Sequence, residues 1–215
     1  MRNIYIIILI IISASFALAI YFNYFYYPPL PNMLASHWNV AGQVDGYMSK
    51  FWSLFIMPFI LVGMFLLFLL IPKIDPKRAN IAKFRKYFDN FIVLIIAFLF
   101  YLYVLTLAWD LNFRFNMIQF LSPGLAALFY YAGVLIEHSK QNWFIGIRTP
   151  WTLSSDRVWI KTHTLGGKLF KVCGVLSLFG IIFPALAIFF VFVPVLTIAV
   201  GVFAYSYFLY QKISK

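Results

Sequence analysis

Apolar residues run along this chain in long blocks, without the period of 2 or 3.6 that marks a half-buried strand or an amphipathic helix. Residues 4–27, 51–71, 91–109 and 117–136 contain no charged side chain. Each block is close to the roughly 20 residues that a helix needs to cross a hydrocarbon core of about 30 Å. A fifth block, residues 172–210, runs 39 residues without a charge. As a single helix it would be about 58 Å long at 1.5 Å per residue, nearly twice the membrane. It must therefore turn. A turn at residues 191–194 leaves about 20 residues on either side and puts Pro194 in the first turn of a helix, where proline is tolerated. The pattern predicts an all-α integral membrane protein with six transmembrane helices.

Composition agrees. With 64% apolar and 11% charged residues, the chain cannot cover a soluble surface, since soluble domains are about a quarter charged. One cysteine, Cys173, excludes a disulfide framework and a cysteine metal cluster. The excess of 17 Lys and Arg over 6 Asp and Glu would suit nucleic acid, but its distribution points to topology. With the N-terminus inside, fifteen basic residues fall on the cytoplasmic side and only Lys50 and Arg114 fall outside, as the positive-inside rule requires. Both termini are thus expected in the cytoplasm, and no nucleic-acid binding is expected. Arg2, the apolar residues 4–12 and the triplet Ala17, Leu18, Ala19 imitate a cleaved signal peptide. The run nevertheless continues into Tyr21, Phe22, Tyr24, Phe25, Tyr26 and Tyr27, the composition of an aromatic belt at the outer interface, so a retained span is expected. No repeat or linker divides the chain. Residues 1–72 carry two spans and an external loop, residues 73–215 carry four spans and a cytoplasmic loop at 137–171, and the whole is expected to form one membrane unit.

No ionisable residue falls at mid-span, where a proton relay or ion-coupled carrier would need one. A small-molecule or lipid transporter stays open as an alternative through helices broken at Pro58, Pro123 or Pro184. The candidate chemistry lies in the two loops. In the external loop, Pro28, Pro29 and Pro31 end the first helix, and Asp45 followed by Gly46 is a tight-turn signature, with Gly42 a second. A short hairpin over residues 39–47 is expected. His37, Trp38, Asn39, Gly42, Asp45 and Gly46 are the candidate binding residues outside; His37 and Asp45 alone do not make a metal site, so no metal or cofactor is expected. In the cytoplasmic loop, Thr149 before Pro150 and Ser154 or Ser155 before Asp156 are helix-start signals, and Trp159 and His163 share a face of the second helix as i and i+4. One reading makes that helix an amphipathic anchor, with Trp143, Trp151 and Trp159 in the interface and Arg148, Arg157 and Lys161 on anionic headgroups. The other makes Asn142, Arg148 and His163 a recognition surface. Both stand at this level. No carboxylate pair, catalytic triad, HExxH or phosphate-binding glycine loop is present, so the chain is read as a non-enzyme.

The stretch from Asn142 through Gly146, Ile147, Arg148, Thr149, Pro150, Trp151, Thr152 and Leu153 to Trp159, Lys161, Thr162 and His163 resembles the signature of the SdpI family of bacterial membrane immunity proteins. The outer residues Leu30, Pro31, His37, Trp38, Asn39, Gly42, Asp45, Gly46 and Lys50 look like the uncharacterised domain that often precedes that signature. The resemblance implies a six-span protein of the bacterial cell membrane that protects a Gram-positive cell from a secreted peptide toxin. It implies as partners the bilayer, the toxin and, as in the best-known case, a cytoplasmic transcriptional repressor held at the membrane. The binding residues it implies are the external set above and, inside, Asn142, Gly146, Arg148, Thr149, Pro150, Trp151, Trp159, Lys161 and His163.

Overall fold

The computed structural model describes residues 2–213. Helix α1 (Arg2–Ile20) continues through a π turn, Tyr21–Phe25, and leads into a hairpin of β1 (Met33–Trp38) and β2 (Val44–Ser49). Then follow α2 (Lys50–Ile74), the short α3 (Arg78–Lys83), α4 (Arg85–Asp110) and α5 (Met117–His138). The chain closes with α6 (Pro150–Ser154), α7 (Asp156–Ser177) prolonged by α8 (Phe179–Ile182), a 3-10 turn at Pro184–Leu186, and α9 (Ala187–Ile213). Six helical segments of 22 to 30 residues are long and apolar enough to cross a membrane: α1, α2, α4, α5, α7 with α8, and α9. Large apolar side chains such as Ile10, Leu66 and Val200 stand exposed on their outer faces, the inverse of a soluble surface and the solution lipid demands.

Helix α4 packs against α1 and α2 on one side and α5 on the other; α5 packs on α7, and α7 on α9. The closest approach is α5 to α7, and glycines allow it. A Cβ on Gly167 would lie 2.3 Å from Glu137 Cγ and 2.7 Å from the Gly133 carbonyl, and one on Gly174 would lie 2.7 Å from the Ala126 carbonyl. Small residues let backbones meet where lipid offers no hydrophobic drive to association. Lys171 and Glu137 close this seam with an ion pair at 2.5 Å. The same contacts set the helices' register: the end of α5 lies level with a point about two turns into α7, so those first two turns overrun it.

Two expectations are corrected here. The turn in the last apolar block lies at residues 183–184, ahead of Pro184, and not at 191–194; Pro194 sits inside α9, as transmembrane helices tolerate. Helix α7 also begins at Asp156, so the connection after α5 is residues 139–155 and not 137–171. Lys161, Lys168 and Lys171 gave that part of α7 the look of a loop, yet Lys161 and Lys168 are exposed and Lys171 is paired. Because α7 runs on into the bundle, it is not an amphipathic anchor lying on the leaflet.

The expected hairpin forms, with its turn at Gly42, the second of the two expected signatures, and not at Asp45 and Gly46. Asn39 organises it: its carbonyl accepts from Gly42 N–H at 2.9 Å and its side-chain oxygen from Ala41 and Gln43 N–H at 2.9 and 3.0 Å. Gly42 takes φ +76°, the left-handed region glycine favours. Asp45 and Gly46 lie within β2, where Gly46 pairs with His37 and a Cβ would meet the His37 Cβ at 2.9 Å. The hairpin is tied to α4 by Ala35 N–H donating to Asp110 Oδ1 at 3.0 Å and by the Trp38–Trp109 edge contact at 5.9 Å.

Candidate functional site

At the end of the bundle away from the hairpin, residues 139–155 fold over the overrunning turns of α7. Asn142 is fully buried and uses all its capacity: Oδ1 accepts from Phe144 and Ile145 N–H at 2.9 and 2.6 Å, and Nδ2 donates to the Lys140 and Ile145 carbonyls at 2.8 and 2.9 Å. The chain then passes Gly146 at φ +106°, where a Cβ would lie 2.5 Å from His163 Nε2. His163 itself is buried. Its Nδ1 meets the Trp159 carbonyl at 2.8 Å and its Nε2 accepts from Ile147 N–H at 3.0 Å. One ring nitrogen must donate and the other accept, which is the neutral imidazole with its proton on Nδ1. Trp159 stacks on the ring at 3.8 Å and donates through Nε1 to the Ser139 carbonyl at 3.1 Å.

Thr149 opens α6 with a reciprocal cap shared with Thr152, with Pro150 in the first helical position. Thr149 Oγ1 also lies 3.0 Å from Ser206 Oγ on α9. Trp151 packs on Phe203 and Tyr207 of α9, each at 5.1 Å. From the other side, the junction of α2 and α3 holds the loop. Asp75, buried, accepts from Trp143 N–H at 2.9 Å; Asn80 donates to the Gln141 carbonyl at 2.8 Å; and Lys77 donates to the Gln141 side chain. No sequence motif marks Asp75, Lys77, Asn80 or Ser206.

The residues expected to bind therefore divide by burial. Asn142, Thr149, Trp159 and His163 are interior and hold the loop's shape, and Gly146 is fixed against them. Arg148 and Lys161 are exposed, and Trp143 is about half exposed. Arg148 Nη1 donates to the Trp143 backbone carbonyl at 2.6 Å, which ties the guanidinium to the chain at that residue. Asn142, Arg148 and His163 do not share a surface.

At the hairpin end, His37 Nδ1 and Asp45 Oδ1 lie 2.5 Å apart on an exposed edge. They stand at the mouth of a cleft of about 530 Å³, lined by Trp38, Asn39 and Val40 of the hairpin, Leu121 and Leu125 of α5, and Phe192 of α9. Gly42 is buried against Asn116, the capping residue of α5, and Gly46 backs His37. Of the expected outer residues, His37, Trp38, Asn39 and Asp45 line this cleft, and Gly42 and Gly46 support the hairpin without lining it. Among the described residues no group of three or more His, Cys, Asp or Glu converges on a point that would hold a metal.

Six helices that bury a polar signature loop at one end and carry a hairpin at the other define a multi-pass bacterial membrane protein. Residues 139–206 match the SdpI/YfhL protein family and residues 6–62 match a domain of unknown function, DUF1648. The chain is 28% identical over 169 residues to a protein of Bacillus subtilis (strain 168) named Immunity protein SdpI, covering 79% of this chain and 77% of that one. These matches support a likeness to the SdpI family. No solved structure matches it.

Proposed function

We propose that this protein confers immunity on a bacterial cell against a secreted peptide toxin. The observation that carries the reading is the likeness to Immunity protein SdpI over 79% of the chain, beside the family matches at residues 6–62 and 139–206, which take in the two loops. In this account both termini and the signature loop face the cytoplasm and the hairpin faces outward, which the fifteen-to-two division of Lys and Arg supports. The toxin then arrives at the cleft beneath His37, Trp38 and Asp45, where apolar walls suit a membrane-active peptide and Lys50 and Arg114 are the only outer basic residues to repel a cationic one.

The finer part of the proposal is a signalling role. Arg148 forms the contact for a cytoplasmic repressor, its exposed guanidinium being suited to bidentate capture of a carboxylate. Toxin and repressor would be coupled through unequal affinity for two states of the bundle. The test is co-culture with peptide-secreting relatives. A strain lacking the protein should lose at least tenfold in survival and regain it on complementation; equal survival of mutant and parent would remove the immunity role.

A further inference from the structure

Three buried side-chain polar atoms lack a hydrogen-bond partner among the described residues: Trp38 Nε1, the Tyr103 hydroxyl and Thr162 Oγ1. Buried polar groups are normally paired, so each exception calls for a cause. Trp38 and Tyr103 line one and the same cavity, of about 330 Å³, whose walls are mostly apolar, with Met48, Met57, Leu102, Met117 and Leu121, and which Ser36, His37, Ser53 and Thr106 also reach. That volume falls in the range of small-ligand sites, roughly 300–1,000 Å³. Tyr103 is only 1% exposed. An indole N–H can only donate, and a phenol can give its proton to the same acceptor. The other hydroxyl of that stretch of α4, Thr106 Oγ1, already donates to the Tyr103 carbonyl at 2.7 Å.

We propose that this cavity is a lipid site: one acyl chain of a bilayer phospholipid occupies the apolar well, and its ester carbonyl accepts hydrogen bonds from Trp38 and Tyr103. The depth suits it. Ser53 and Met57, on its α2 wall, lie three and seven residues past Lys50, the first of the helix, hence ~5 and ~10 Å below the helix end, where the headgroup region gives way to hydrocarbon. The unpaired groups are donors, and an ester brings acceptors alone. A peptide backbone brings an N–H with each carbonyl, and that N–H would need one of the few hydroxyls of the well, such as Ser53 or Tyr103, as its acceptor, a demand an ester does not make. A single water could bridge the two donors but would leave the apolar remainder of the well unexplained. The cavity shares His37, Trp38 and Leu121 with the toxin cleft, but lipid occupancy is read without toxin, so its test stands or falls apart from the immunity reading.

The experiment uses the full chain in liposomes doped with a phospholipid that carries a diazirine beside the ester of one acyl chain. After irradiation, adducts are mapped by mass spectrometry. Adducts are expected on Met57 and Met117, and the Trp38→Phe/Tyr103→Phe pair, which keeps both aromatic bodies, should reduce them at least fivefold. Adducts on Phe120 and Phe189, exposed on the outer faces near the same end, should stay unchanged. Leu121→Trp, which fills the cavity and keeps both donors, should give the same loss, with elution volume and melting temperature showing that each variant is folded. Absence of cavity adducts in the wild type, or their persistence in both variants, would overturn the site and leave bridging water as the partner of the two donors.

Discussion

Gly146 and His163 carry the signature loop between them. A methyl group at Gly146 would both enter a backbone region that L-residues avoid and press on the ring nitrogen that accepts from Ile147. Gly146→Ala should therefore cost about 1–3 kcal/mol in backbone strain alone, with the Ile147 bond lost as well, read as a lowered melting temperature of the purified protein. His163→Phe keeps the stack on Trp159 and leaves the Ile147 N–H unpaired, for a loss of about 1–3 kcal/mol; an unchanged melting temperature would mean that this bond is not needed. Arg148→Lys, by contrast, lies at an exposed position and should leave stability unaltered while weakening capture of a cytoplasmic partner, measured as membrane recruitment at matched protein levels. The sequence pointed to Asn142, Arg148 and His163 within a stretch crowded with tryptophan, and the family resemblance added Gly146. It could not tell interior from surface, nor find Asp75, Asn80 or Ser206, whose partners lie 57 to 68 positions away and follow no local period.

Among the elements, the α5–α7 seam depends on glycine. Gly167→Leu would drive a side chain into Glu137 and the Gly133 carbonyl, an overpacking worth roughly 1–3 kcal/mol or more, and the expected result is loss of folded protein from the membrane. Gly63 and Gly201 have nothing within 4 Å of an added Cβ, so Leu at either should be tolerated; equal damage at all three would mean that the effect is general to glycine replacement. The spans were legible as apolar blocks because lipid demands continuous apolar length. The start of α7 at Asp156 was legible from its capping signal, but its continuity with the fifth span was not, because its lysines read as loop until the bundle shows two of them exposed and the third paired with Glu137. The hairpin was foreseen from its turn residues, but Asp45 and Gly46 serve strand pairing against His37, a requirement set by the opposite strand and invisible in a dipeptide.

For the whole molecule, the bundle sets two specialised ends apart: a hairpin over an apolar cleft and a loop locked by buried hydrogen bonds. Their assignment to sides is testable with single cysteines in a Cys173→Ser background. Gln43→Cys and Phe113→Cys, both exposed at the hairpin end, should label in intact cells with an impermeant reagent, and Ala82→Cys and Ser154→Cys should label only after lysis. Labelling at Ser154→Cys in intact cells would reverse the assignment. The most direct measurement of the immunity account is survival of a toxin-sensitive strain that expresses this chain while it is exposed to the peptide. The wild type should raise survival at least tenfold over an empty vector, and Trp38→Ala or Asp45→Ala at equal membrane abundance should lose most of that gain. Survival no better than the vector, with the protein present in the membrane, would contradict the account.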